Sequence, residues 1–369
     1  MRRIVWLSLL AGTALSIGAA AYALTSLQQR EKHQAALATS ALGSALFHDT
    51  SLSATGTLAC ATCHRADYAF TQPEAVPHLD GGRVGTRNAP SLLDLPYFQH
   101  YFWDGREDHI ERVAVAAFTN RAEMAQPNMA AVVDLLRRQP AYRQRFQASF
   151  GDDNIDEARI SRAILAYLHS VANGHSRYDA YAAGDTSALT ESERRGLAIF
   201  QGKADCAACH RLDGTPATFT DNRFHHSNVG LEQLAGHVKT TIAAFQLAGH
   251  VKTTIAAFQA KRQQGVPLAE LVLSDPEMAA LGRFAVDGHG DNLSAYRTPT
   301  LRNVTRTAPY MHDGSVPSLD AAIQREIYYR SLTRGTPITL TTQEQGDLHA
   351  FLYALEDAPL RNAQAPGAE

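Results

Sequence analysis

A chain of 369 residues, 45% hydrophobic and 19% charged, has the length for two or three domains and the apolar content to bury their cores. Its 34 Lys+Arg against 37 Asp+Glu leave a net charge of −3 with no basic stripe, which argues against a nucleic-acid partner. Only four cysteines occur, all in two Cys-x-x-Cys pairs, so a disulfide scaffold is excluded and cofactor attachment becomes the question.

In chain order, the N-terminus offers Arg2 and Arg3, an apolar run from Ile4 to Leu24, and Ala21-Tyr22-Ala23 as a cleavage site. These are the parts of a secretory signal peptide, although the run is also about the length of a bilayer span. Residues 1–24 therefore read as a signal peptide or an N-terminal inner-membrane anchor. Both readings export the remainder to the periplasm, where 32 basic residues face 37 acidic ones, a net −5.

A polar stretch, Gln28 to Gln34, precedes helical spacing from Ala35 to Phe47, and a turn at 51–57 leads into the first cysteine pair. Residues 72–96, rich in Pro, Gly, Asp and Asn, read as a long irregular loop. Helical periodicity returns at 109–118, 129–139 and 155–172. Asp185-Thr186-Ser187 reads as a linker, and Thr190-Glu191-Ser192-Glu193 as a capping box that opens a helix to Phe200. Strand-like alternation is scarce. The expected class is mostly α with long loops, in halves at 35–184 and 185–358 with a tail at 359–369.

The segment LAGHVKTTIAAFQ at 234–246 recurs unchanged at 247–259. Thirteen residues advance a helix by ~1300°, or ~220° beyond whole turns, so Val238, Ile242 and Phe245 face away from Val251, Ile255 and Phe258. A break near Gly249, or a second copy displaced to the surface, is expected. Two copies do not make a solenoid.

Cys60-Ala-Thr-Cys63-His64 and Cys206-Ala-Ala-Cys209-His210 are both C-x-x-C-H. Two thiols at this spacing can add to the two vinyl groups of a haem while the following histidine ligates the iron. Composition alone produces one such motif about 0.002 times per chain, and here two use every cysteine. A zinc site or a redox dithiol would also use paired cysteines, but neither needs the adjacent histidine twice. Two covalently bound c-type haems are the expectation.

With these motifs stand Leu42-Gly43, Leu46-Phe47, Ala69-Phe70-Thr71, Thr86-Arg87-Asn88-Ala89-Pro90, Phe102-Trp103-Asp104-Gly105-Arg106 and Gly196-Leu197-Ala198-Ile199-Phe200. Further on come Arg297-Thr298-Pro299-Thr300-Leu301-Arg302-Asn303-Val304 and Ala308-Pro309-Tyr310-Met311-His312-Asp313-Gly314. In this ordered set the chain resembles the bacterial di-haem cytochrome c peroxidase and MauG superfamily from about residue 40 to 357.

The resemblance implies two cytochrome c-like haem domains with additional helices. The N-terminal haem would meet hydrogen peroxide and the C-terminal one would receive electrons. It makes Glu123, twenty residues after Trp103, the catalytic acid–base group, where residue type alone suggests a solvated surface carboxylate. Trp103 would lie between the haems and help electrons cross; otherwise it is a buried aromatic. Asn88, with the carbonyls of Thr307 and Pro309, would bind calcium, a hard cation suited to oxygen ligands. The alternative is an Asx-turn at Asn88.

For the sixth ligand of the C-terminal haem, the family pattern counted from Leu319 lands on Glu326, and a two-residue shift is needed to reach Tyr328. Tyr328 is the first choice, Tyr329 the second and Met311 the third. His78 is a candidate distal ligand of the N-terminal haem, competing with a solvated loop histidine. Val113 and Ala117 replace Gln and Pro of many relatives near the peroxide pocket. Ala204 stands where MauG has a surface Trp.

The function implied is peroxide reduction with electrons from a small c-type cytochrome or cupredoxin. The alternatives are a MauG-like oxidase that modifies a partner protein and a plain di-haem electron carrier. A homodimer is compatible with all three.

Overall fold

Helices carry the described residues, and two β-strands among them, Phe224–His226 and Ala295–Arg297, pair antiparallel with His225 opposite Tyr296. The computed structural model describes residues 2–79, 82–171, 175–214, 216–226 and 241–357, with backbone alone at 2–24 and 241–247. The expected signal or anchor at 1–24, the tail at 359–369 and the opening of the repeat at 234–240 lie outside the fully described residues.

The helix Arg2–His48 runs unbroken through the polar stretch at 28–34. Its last turns bury Leu42, Leu46 and Phe47 against the helix Glu157–Ser170, with the Phe47 and Tyr167 rings 5.2 Å apart. The helices Ile110–Thr119 and Met129–Arg137 complete this first core where periodicity placed them. The helix Pro140–Phe150 is absent from the periodicity reading. Pro140 opens it at a position whose missing N–H costs nothing, and Tyr142 and Phe146 bury into the core.

The second core repeats the plan. The helices Glu191–Gln201 and Thr342–Tyr353 each begin with a capping box, Thr190 with Glu193 and Thr341 with Glu344. Between them Tyr178, Phe200, Phe219 and Phe351 pack edge-on or tilted, with ring centroids 5.1–6.5 Å apart. Tyr178 belongs to the helix Arg177–Ala182, and Ser176 bridges Asp357. That helix therefore packs with the second half, and the division between cores falls ahead of residue 175 rather than at 184–185.

Both helix crossings depend on a glycine. A Cβ on Gly43 would meet the Ala163 carbonyl oxygen at 1.8 Å, and one on Gly196 the Asp347 carbonyl oxygen at 1.9 Å. Gly43→Ala and Gly196→Ala should each destabilise by about 1–3 kcal/mol or more, because backbone cannot yield as a side-chain end can. Gly249→Ala, with nothing within 4 Å, should stabilise by up to ~1 kcal/mol. Thermal denaturation of the three variants checks the contrast.

A satellite cluster of Phe258, Leu271, Val272, Met278, Leu281 and Phe284 forms a third, smaller core. It leans on the first half, where Thr86 Oγ1 donates to the Val272 carbonyl (2.7 Å) and Arg87 Nη2 to that of Ala279 (2.8 Å). The helix Thr241–Gln263 runs through Gly249 without the expected break, and the second copy of the repeat is not displaced. Val251, Ile255 and Phe258 share one helical face, and Ile255 and Phe258 pack into the satellite. Gly249 stands in open space, so the helix needs only one copy to be seated.

Arg302, fully buried, ties the halves together. It forks onto Asp179 (2.6 and 2.7 Å) and donates through Nε to the Ala217 carbonyl (2.7 Å). Asp94 of the first half lies 3.7 Å away and Asp357 3.9 Å away.

Candidate functional site

Each core encloses a cavity with a C-x-x-C-H motif on its wall. The first, about 180 Å³, is lined by Cys60, Cys63, His64, Glu123 and Arg106; the second, about 280 Å³, by Cys206, Cys209, His210 and Glu326. Burial pushes the Cys60, Cys63 and Cys206 thiols up to about 12, the opposite of an activated redox dithiol. Among the described residues one grouping of three metal-type ligands occurs, Cys209, Asp221 and His225. Its His225 Nε2 to Asp221 Oδ2 contact of 2.7 Å accounts for it without an ion.

The two histidines are oriented alike. His64 Nδ1 lies 2.9 Å from the Phe70 carbonyl oxygen, and His210 Nδ1 2.9 Å from that of Phe219. A carbonyl only accepts, so Nδ1 carries the proton and Nε2 is the free ligating nitrogen in both rings. Burial lowers both imidazole pKa values, which favours the neutral, ligating form. Phe70 (φ 58°) and Phe219 (φ 52°) hold these carbonyls in the left-handed region, rare for a bulky residue, and both rings are fully buried. Free, half-buried cysteines, an anchored histidine and an enclosing apolar wall fit a covalently attached haem in each cavity.

Glu123 opens into the first cavity from the turn after the helix Ile110–Thr119, where its N–H donates to the Asn120 carbonyl (2.9 Å). Burial raises its pKa, while Arg106 and an Asn120 hydrogen bond limit the rise. Arg106 was not singled out from sequence. It stacks on Phe102 (3.7 Å) and pairs with Asp104 (3.0 Å), which also takes Arg87 (2.6 Å). Burial opposes the Asp104 charge, but Arg106 and Arg87 outweigh it and hold the carboxyl below the ordinary range. In sequence the one signal for Arg106 was its place two residues after Asp104 in the Phe-Trp-Asp-Gly-Arg motif. Val113 and Ala117 line the same cavity.

The cavities share a wall. Asn88 to Ser91, Phe98, Trp103 and Arg297 line both. Trp103 Nε1 donates to the Asn88 carbonyl (2.8 Å), and the Trp103 carbonyl accepts from the Arg297 N–H (2.9 Å). Arg297, also missed from sequence, lies over the Phe98 ring at 4.1 Å, and desolvation lowers its pKa to about 10. Asn88, Thr307 and Pro309 meet at the second cavity. Asn88 Nδ2 donates to the Ala75 carbonyl (3.0 Å), which leaves Oδ1 as the amide's oxygen donor.

Other candidates fall elsewhere. Tyr328 is 59% exposed and does not line the second cavity, and neither does Tyr329. The helix Leu319–Arg334 instead presents Leu319, Ala322, Ile323, Glu326, Ile327 and Arg330 inward, a period that puts residue 328 on the far face. Tyr328, the first choice for the iron, therefore stands outside the second cavity. Met311 lines the second cavity. His78 is exposed and bridges Val84 outside the first cavity, as a solvated loop histidine does. Ala204 is buried at 2% exposure on the second cavity's wall.

Residues 38–187 match the family model described as di-haem cytochrome c peroxidase. The chain is 30% identical over 335 residues to the methylamine utilization protein MauG of Methylophilus methylotrophus, covering 88% of this chain and 84% of that one. It is 31% identical over 329 residues to a cytochrome-c peroxidase, IdrP1, of Pseudomonas sp. (strain SCT), covering 85% and 80%. Among solved structures it is similar to a MauG-like protein associated with microbial copper homeostasis, with TM-score 0.65, 28% identity and coverage of 89% and 91%.

Proposed function

Because this chain belongs to the di-haem cytochrome c peroxidase and MauG family, we propose that it is an exported c-type peroxidase that reduces hydrogen peroxide with electrons from a small redox protein. The balance is one H2O2, two electrons and two protons to two waters. The observation that carries the reading is the placement of Glu123 in one cavity with Cys60, Cys63 and His64. When bound, through Cys60 and Cys63 with His64 and through Cys206 and Cys209 with His210, the haems supply the redox equivalents for O–O cleavage.

The protein's share is protons, charge and position. Glu123, its pKa raised by burial but checked by Arg106, is placed to take and return a proton inside the first cavity. Arg106 sets a fixed positive charge in the same cavity, and Val113 and Ala117 add no competing proton donor. Trp103 spans the common wall and is locked by its bond to Asn88, which suits it to electron passage between the cavities. Calcium would be held by Asn88 Oδ1 and the carbonyls of Thr307 and Pro309, bracing that wall. Export rests on Arg2, Arg3 and the apolar run to Leu24.

A MauG-like oxidase acting on a partner protein is the second reading, favoured by the edge-on Tyr328–Tyr329 pair on the surface (5.2 Å). Ala204, buried, provides no surface route of the Trp kind. The test is steady-state peroxide reduction by the two-haem protein with a reduced c-type cytochrome or cupredoxin. Two donor equivalents oxidised per peroxide is the expected result. Peroxide-dependent change in a co-expressed protein without donor oxidation would select the second reading, and no peroxide consumption would leave an electron carrier. Trp103→Phe should slow donor-driven turnover while haem content stays at two per chain, as measured by haem absorbance and stopped-flow mixing.

A further inference from the structure

The second cavity contains a carboxylate that the peroxidase reading does not use. Glu326 sits in the middle of the inward stripe of the helix Leu319–Arg334, with Cys206, Cys209 and His210 among the other residues that line the cavity. It is open to the cavity, and its charge is felt at Cys206. The neighbouring Arg330 is spent on Asp205 (2.7 and 3.1 Å) and does not neutralise Glu326 in a direct pair.

The competing ligand types are placed less well. His225 is engaged by Asp221 (2.7 Å) and by Cys209. His312 is stacked flat on Tyr296 (3.8 Å, 15°), and its Nε2 is buried away from accessible space. Tyr328 points outward, and Met311 belongs to the loop whose His312 carbonyl accepts from Asn88 N–H, at the wall between the cavities. In the first cavity a carboxylate, Glu123, likewise accompanies the anchored histidine.

We propose that Glu326 faces the iron of the second haem opposite His210, so that this haem has a nitrogen and an anionic oxygen as its axial partners. The inference rests on the two-haem reading and departs from the Met or Tyr expected there by resemblance. A hard anionic oxygen stabilises the oxidised metal and lowers its potential, whereas a thioether raises it. As a weak-field donor it leaves ferric iron high-spin.

The experiment is EPR spectroscopy and potentiometric titration of the two-haem protein beside Glu326→Met, Glu326→Gln, Tyr328→Phe, Tyr329→Phe and Met311→Leu. The wild type should show no low-spin His/Met or His/Tyr signal from the second haem. Glu326→Met should turn that haem low-spin and move its midpoint potential upward with the first unchanged. Glu326→Gln, close in shape and safer for folding, should shift the same potential upward in smaller degree. The phenylalanine and leucine variants should match the wild type. A wild-type low-spin signal lost in Tyr328→Phe, Tyr329→Phe or Met311→Leu overturns the proposal, as do Glu326 variants with wild-type spectra and potentials. Fewer than two haems per chain would overturn the di-haem reading itself, a failure separable by haem quantitation.

Discussion

Glu123→Gln is expected to lower kcat/KM for peroxide by about 10²–10⁴-fold, the range that a positioned acid–base group contributes. The amide keeps the volume of the side chain and can still bond to Asn120, but it cannot take and return a proton. The surroundings act on this proton from both sides, since burial lifts the carboxyl's pKa and Arg106 opposes the lift. Haem content should not change, because Glu123 is not part of either C-x-x-C-H motif. Stopped-flow mixing with peroxide, alongside haem quantitation, makes the measurement. A loss below tenfold with two haems attached would place proton management on another group.

Arg302→Met should be the most damaging single change to stability, about 3–5 kcal/mol, or a fall in Tm on the order of 10 °C. Methionine fills much of the space but leaves Asp179, Asp94 and Asp357 facing one another without their cation. It also strips a donor from the Ala217 carbonyl, two residues from the Phe219 carbonyl that orients His210. Calorimetry on the haem-loaded protein checks this.

The same network carries a pH signature. Burial, opposed by Arg302 and Thr300, raises the Asp94 carboxyl from 3.8 to about 7. A carboxyl raised on folding binds its proton more tightly in the folded state. Its contribution is therefore complete below about pH 4 and is lost as pH climbs through 7. Asp94→Asn should remove that slope, so the stability difference between variant and wild type should grow in the variant's favour from pH 4 to 8. A difference flat with pH would show that Asp94 does not titrate in this window.

The haem motifs and the capping box at Thr190 were legible because local spacing encodes them. The shared lining by Trp103, Asn88 and Pro90 is not encoded in local spacing, since it depends on two halves meeting; the family resemblance alone pointed to Trp103 and Asn88 there. The family register counted from Leu319 fell on Glu326, which the inward stripe of Leu319, Ala322 and Ile323 also includes, but the Tyr used in one branch of the family pulled the choice to Tyr328. Arg302 and Arg106 were hidden for a different reason. An arginine in sequence reads as solvent-facing, and only the tertiary placement of Asp179 and Asp104 makes burial tolerable.

The repeat in the helix Thr241–Gln263 has a genetic corollary. Because its two copies are identical, excising either one yields the same polypeptide, and the copy that remains still meets the satellite core in the same frame. Excision takes 241–246 off the start of the helix and leaves 247–263, which carries Ile255 and Phe258 into the satellite core. A chain with a single copy is therefore expected to keep its satellite core and both cavities, as thermal denaturation of the 234–246 deletion would check.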